Sequence, residues 1–162
     1  MILGILSDTH HRADAMRAGI TALQAAGAEF FIHCGDVGDE SVIDQLAGLP
    51  NAIVWGNNDF DRSRLADYAA SVGVNVHHPA ARITLAGKAI VVTHGDDSRL
   101  LRSILLDNTA DYLFFGHTHQ TLDERHGRIR VINPGALFRA SPKTVAVLNL
   151  QTNQLQFLEI TV

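Results

Sequence analysis

Seven residues in this chain are of types that bind divalent metals: Asp8, His10, Asp36, Asn57, His94, His117 and His119. Carboxylate, imidazole and amide oxygen are hard or borderline donors. They suit manganese, the first candidate, or iron, zinc, nickel or magnesium, rather than a thiolate-bound cluster. Seven donors exceed what one tetrahedral ion takes, but they suit two ions about 3.5–4 Å apart that share a bridging carboxylate. Two divalent ions bring four positive charges, and Asp8 and Asp36 return two of them. A bridging hydroxide leaves a small positive excess to meet a phosphate anion. Asn57, neutral where a third carboxylate would stand, preserves that excess. The chemistry implied is metal-assisted hydrolysis of a phosphate ester.

Each of these groups follows a short apolar run. Residues 2–6 lead to Ser7-Asp8-Thr9-His10, 29–32 to His33-Cys34-Gly35-Asp36, and 52–55 to Gly56-Asn57-Asn58-Asp59. Residues 89–92 lead to Thr93-His94-Gly95-Asp96, and 112–115 to Gly116-His117-Thr118-His119. Several runs are apolar at every position, as strands covered on both faces are. Ligands gather beyond the carboxyl ends of strands in an α/β sheet, so these strand ends converge on one site. Asp-x-His and His-x-His place their ligands on the same side of an extended segment.

Helical spacing fills the gaps between the early runs. Residues 13–26 carry Met16, Ile20 and Leu23 on one face and stop at Gly27; residues 41–47 and 98–106 read likewise. The first half is therefore β-α-β-α-β, a parallel sheet with right-handed crossovers. The strand candidates 122–126, 128–132, 144–150 and 155–160, joined by short turns, suggest an antiparallel second sheet or sheet edge. Residues 61–79 are the least regular stretch, read as a helix plus a loop near the site. With no internal repeat or linker, the chain is expected to be one domain over residues 1–162.

Composition narrows the setting. Apolar residues make up 46% and charged residues 19%, the balance of an ordinary globular domain. A net charge of −4 supplies no basic field, so there is no strong nucleic-acid footprint; a small phosphate-ester substrate fits better. No apolar run approaches the length of a membrane helix, and the lone Cys34 excludes an internal disulfide framework. The expectation is a cytoplasmic protein with no membrane partner. A homo-oligomer remains open, as it does for any small α/β domain.

In five ordered motifs the sequence resembles the calcineurin-like metallophosphoesterases. D-x-H falls at Asp8 and His10, G-D at Gly35-Asp36, and G-N-x-[DE] at Gly56-Asn57-Asn58-Asp59. H-G falls at His94-Gly95, and G-H-x-H at Gly116-His117-Thr118-His119. Asn133-Pro134-Gly135 resembles the N-P-G of the small bacterial and archaeal phosphodiesterase branch, which also includes the retromer metallophosphoesterase-like subunit. The resemblance implies an α/β fold: a four-layer αββα sandwich of two mixed sheets. It further implies two divalent ions per subunit, one held by Asp8, His10 and His119, the other by Asn57, His94 and His117. Asp36 would bridge them, and a hydroxide between the ions would attack phosphorus in line with the leaving group.

Two positions depart from the family pattern. Many relatives place a leaving-group-protonating histidine after the ligand Asn, steered by the acid that follows; here Asn58 and Asp59 stand there. These two are the catalytic candidates, yet Asn58 donates hydrogen bonds without being a general acid. Activated diesters should therefore be preferred over alkyl monoesters. His11 replaces a usual glycine and either touches substrate, as Asn58 would, or sits in solvent beside Arg12.

Other reactive types read as structural. His33 and Cys34 are expected to be buried packing, Asp96 and Asp97 helix N-caps, and His77, His78 and His126 surface groups. Arg12, Arg62 and Arg64 could reach a substrate phosphate, but the default reading for each is a solvated arginine. A non-catalytic retromer-like interaction scaffold is the alternative function, disfavoured by the intact ligand set. A metal-dependent amidohydrolase barrel is excluded by length.

Overall fold

The first strand, β1 (Ile2–Leu6), is buried on both faces, and its alternation sets the layers. Leu3 and Ile5 enter one apolar cluster with Ile90, Val92, Tyr112 and Phe114. Leu6 enters another with Met16, Ile20 and Leu23 of the helix α1 (Ala13–Ala25). A strand apolar at every position can be satisfied only by cover on both sides. The computed structural model describes residues 1–162 and supplies that cover.

After α1 come β2 (Phe30–His33), α2 (Glu40–Ile43) with a 3-10 turn over Asp44–Leu46, and β3 (Asn51–Val54). Next follow α3 (Arg62–Ser71), β4 (Val76–His77), β5 (Ala80–Leu85), β6 (Lys88–Thr93) and α4 (Ser98–Asp107). The chain closes with β7 (Tyr112–Phe114), β8 (Thr121–His126), β9 (Ile129–Pro134), β10 (Lys143–Asn149) and β11 (Gln154–Ile160). One sheet runs β11-β10-β1-β2-β3-β4, and the other β5-β6-β7-β9-β8. In the first, β1 to β4 are parallel, β10 is antiparallel to β1, and β11 is antiparallel to β10; in the second, β6, β7 and β9 are parallel, flanked by antiparallel β5 and β8.

The layers are α, β, β, α. Helices α1 to α3 pack on the outer face of the first sheet, the sheets face each other, and α4 covers the second sheet through Ile104 against Val91, Leu113 and Val131. Asp97 caps α4 by accepting from the N–H groups of Arg99 and Leu100, and Asp39 caps α2 at Val42. Asp96, also expected to cap, stays exposed without that role.

The last third is not a single antiparallel sheet. Strand β9 adds parallel to β7 while β10 returns to β1, pairing Ile5 with Ala146, so the segment is shared between both sheets. Turn spacing reveals hairpins but not which open edge each hairpin joins. Strand β4, missed in the sequence, falls within the stretch 61–79 expected to be helix plus loop, and β5, also missed, follows directly after it.

Candidate metal centre

All seven expected ligands lie just beyond the carboxyl ends of β1, β2, β3, β6 and β7, where parallel strands of both sheets finish side by side. The connecting turns are stitched by main chain. Asp8 N–H donates to Gly35 C=O (3.0 Å), both Thr9 and His10 N–H donate to Asp36 C=O (3.0 Å each), and Gly116 N–H donates to His94 C=O (2.9 Å). The ligands do not sit on extended segments, as their alternation suggested. Asp8, His10, Asp36, His117 and His119 all adopt left-handed backbone (φ 54°, 45°, 55°, 64° and 58°), so the turns, not strand pleat, aim them. Non-glycine residues in this region are uncommon, and they gather at functional sites.

Crowding explains two glycines. A Cβ on Gly56 would overlap Asp36 Oδ1, and one on Gly116 would overlap Ser7 Oγ and press on Asp8. Each lets one strand-end loop close over a carboxylate from another.

Asp8 is held on one side and left open on the other, whereas Asp36 is held at both oxygens. Asp8 Oδ2 accepts from Ser7 Oγ (2.5 Å) and His117 N–H (3.0 Å). Its Oδ1 is buried with no hydrogen-bond partner, 3.2 Å from His119 Nε2 and 4.0 Å from His10 Nε2. His10 Nε2 is likewise buried and unpartnered. An unpaired buried acceptor facing unpaired ring nitrogens is costly unless something positive sits between them. Asp36 is central: its Oδ2 lies 3.4 Å from His10 Nε2 and 3.3 Å from His94 Nε2. Asn58 grips it through backbone N–H to Oδ1 and side-chain Nδ2 to Oδ2 (2.8 Å each).

His94 is pre-oriented. Its Nδ1 lies 2.8 Å from the Cys34 carbonyl, which fixes the tautomer and turns Nε2 toward Asn57 Oδ1 (3.1 Å) and Asp36. The His117 ring packs edge-on against His94 at 5.1 Å. Burial opposes charge on His94, but its hydrogen bond to Asp36 and the charges of Asp36 and Asp8 outweigh this and raise its pKa to about 9. Burial likewise opposes the Asp36 carboxylate, and hydrogen bonds from His94 and Asn58 overcome it and hold the group below the usual range. Asp8, more fully enclosed, is raised by burial, and His10 is lowered by it.

Donor atoms of Asp8, His10 and His119 form one cluster within 4.8 Å, and those of Asp8, Asp36 and His94 form a second. Two adjoining donor clusters with an orphaned carboxylate oxygen and imidazole nitrogen fit a pair of divalent ions. Above them opens a cleft of about 440 Å³, lined by His10, His11, Asp36, Asn58, His117 and His119 together with Phe138 and Arg139.

The remaining candidates fall out differently. Asp59 does not face this cleft: it is 1% exposed, and its oxygens accept from Gly38 N–H (2.9 Å) and Gly56 N–H (2.8 Å). It braces the loop. Arg62, read as solvated, turns inward to the carbonyls of Asp59 (2.9 Å) and Gly56 (2.8 Å), with His78 Nε2 3.0 Å from its Nη1. His11 stands at the cleft rim with Nδ1 3.0 Å from Asp39 Oδ2. His33 and Cys34 are fully buried, and Cys34 is a free thiol raised by burial. His126 and His78 are exposed, as expected; His77 is half-buried rather than a surface group. Phe138 and Arg139 went unnoticed, because nothing but their place after Asn133-Pro134-Gly135 distinguishes them in the sequence.

A doubled donor set at the fused ends of two mixed sheets is the architecture of a metal-dependent hydrolase of phosphate esters. Residues 1–153 match the model of the calcineurin-like phosphoesterase superfamily domain, and the chain belongs to that superfamily. It is 28% identical to a phosphodiesterase of Methanocaldococcus jannaschii over 99% of this chain and 98% of that one. The solved structure of an archaeal phosphodiesterase superposes with a TM-score of 0.90 at 24% identity, covering 99% and 100% of the two chains. The zinc complex of Vps29 from Entamoeba histolytica shares the fold, with a TM-score of 0.69 at 19% identity over 97% of this chain and 90% of that one.

Proposed function

We propose that this chain is a phosphodiesterase working at a dinuclear centre held by Asp8, His10, Asp36, Asn57, His94, His117 and His119, with manganese the first candidate metal. The observation that carries the reading is Asp36, whose Oδ2 lies within 3.4 Å of imidazoles from both donor clusters, as a bridging carboxylate requires. Divalent ions there supply Lewis acidity and a water nucleophile of lowered pKa. The chain's own groups do the positioning. Ser7 and the His117 N–H hold Asp8, the Cys34 carbonyl turns His94, and Asp59 and Arg62 brace the loop that presents Asn57 and Asn58.

One Nδ2–H of Asn58 is taken by Asp36, and the amide's other N–H donates to the phosphoryl region without giving up a proton, which favours a diester with a leaving group that departs unprotonated. Asp59 serves this step only through the loop it braces. His11 is placed for substrate contact at the rim. The lone, buried Cys34, a free thiol, fits the reducing conditions of a cytoplasmic setting.

The test is to strip the protein of metal and add back manganese, iron, zinc, nickel or magnesium, assaying bis(4-nitrophenyl) phosphate beside ethyl phosphate. Faster diester turnover with at least one metal is expected. Equal or faster turnover of the alkyl monoester refutes the diester preference. No turnover with any metal, and no metal bound at micromolar concentration, refutes the enzyme. Asp36→Asn should reduce turnover to background while the circular dichroism spectrum stays that of the parent.

A further inference from the structure

One wall of the cleft has no part in holding metal. Phe138 and Arg139 line it from the turn between β9 and β10. The Phe138 ring packs on the His10 imidazole, centroids 5.1 Å apart. Two guanidiniums lie over the same ring, Arg139 at 5.1 Å and Arg12 at 5.5 Å. Arg64, Arg128 and Arg130 each pair with a carboxylate, whereas the guanidiniums of Arg12 and Arg139 pair with none. Both residues are exposed, and Arg139 is held in left-handed backbone at φ 48°. On the far side of Phe138 a smaller pocket of about 130 Å³ is lined by Arg12, Lys143 and Asp14. Arg139 thus borders the metal cleft, and Arg12 and Lys143 continue the cationic side around Phe138, in a chain whose net charge is −4.

We propose that Arg139 and Arg12, braced on Phe138, form a subsite for a second phosphate group of the substrate, a terminal monoester phosphate on one arm of the scissile diester. This inference rests on the phosphodiesterase reading. A guanidinium stacked on an arene satisfies its face and keeps its in-plane N–H donors free, the geometry that grips phosphate in bidentate fashion. Two guanidiniums and an imidazole already crowd the ring within 5.5 Å of its centroid, so the wall offers charge more than a face for stacking a base. Three cations with one unpaired acid, Asp14, suit a dianion better than a carboxylate. The overall negative charge confines the attraction to this rim and the metals, so the subsite acts on an anion already close by.

The metal-loaded protein is assayed on bis(4-nitrophenyl) phosphate, with a thymidine dinucleotide as competitor, with or without a 5′-phosphate. About tenfold tighter competition by the phosphorylated dinucleotide is expected in the parent, weakening with salt. Arg139→Gln and Arg12→Gln should each shrink that ratio, and the double variant should bring it to one. A parent ratio of one overturns the subsite. So does an undiminished ratio in the variants, which would place the extra phosphate on the metals. An equal loss of both dinucleotides in the variants overturns it too. Absence of bis(4-nitrophenyl) phosphate turnover refutes the phosphodiesterase reading underneath, whereas turnover without the preference refutes only the subsite.

Discussion

Asn58 touches Asp36 through two hydrogen bonds and has no proton to give, which makes it the residue on which the proposed substrate preference turns. Replacing it with histidine supplies a group that can protonate a leaving oxygen. General acids contribute about 10²–10⁴-fold, so Asn58→His should raise kcat/KM for alkyl monoesters relative to diesters by roughly 10²-fold. Steady-state assays on both esters check this. A second prediction concerns His33, which was legible as buried but not as a hydrogen-bonded link. Its Nε2 lies 2.7 Å from Thr9 Oγ1, and its Nδ1 accepts from Gly35 N–H, so it ties the β1 and β2 turns together as a neutral ring. Burial, aided by the nearby His94, lowers its pKa to about 3 from the 6.5 of an exposed imidazole. The unfolded chain therefore binds a proton that the native one refuses. The stability His33 contributes is full above pH 6.5 and lost as pH falls from there toward 3. Urea melts at pH 7 and pH 5 should show a loss of stability in the parent that is smaller in His33→Gln.

The elements matter here chiefly for their ends. Strands β1, β2 and β3 were readable from apolar runs, and the polar triplets after them marked the site. What patterning could not show is how the Gly56-Asn57-Asn58-Asp59 loop is held. Asp59 caps two glycine N–H groups, and Arg62, at the start of α3, clasps two carbonyls of the same loop. Solvated arginine is the ordinary expectation for such a position, and only three-dimensional proximity to a bent loop overrides it. Arg62→Ala should loosen Asn57 and Asn58 together. The expected result is a fall in kcat and in metal affinity of about 10–100-fold, the range of groups that orient metal ligands. Thermal stability should change much less. Calorimetric metal titration beside steady-state kinetics reads both.

At the scale of the molecule, metal and fold are coupled. The orphaned Asp8 Oδ1 and His10 Nε2 face each other across the joint of two sheets, so a cation there relieves a strain that the bare chain carries. At a hundredfold excess over Kd, a ligand of the native state alone adds about 2.7 kcal/mol. For a domain of this size that is roughly 5–10 °C in Tm, which chelator should reverse in a melting scan. The candidate ligands and the α/β class were legible in the chain itself, and the doubled sheet in its resemblance to the family. Donor types and apolar runs are local properties, and hydrophobic cover demanded on both strand faces forces extra layers. The destination of β10, the inward turn of Arg62, the bracing by Asp59 and the cationic wall at Phe138 and Arg139 were not present there. Each depends on which segments far apart in sequence pack as neighbours, and local pattern carries no information about that pairing. The seven donors announced a metal centre; the packing of two sheets face to face, with their strand ends side by side, made it a cleft with a charged side.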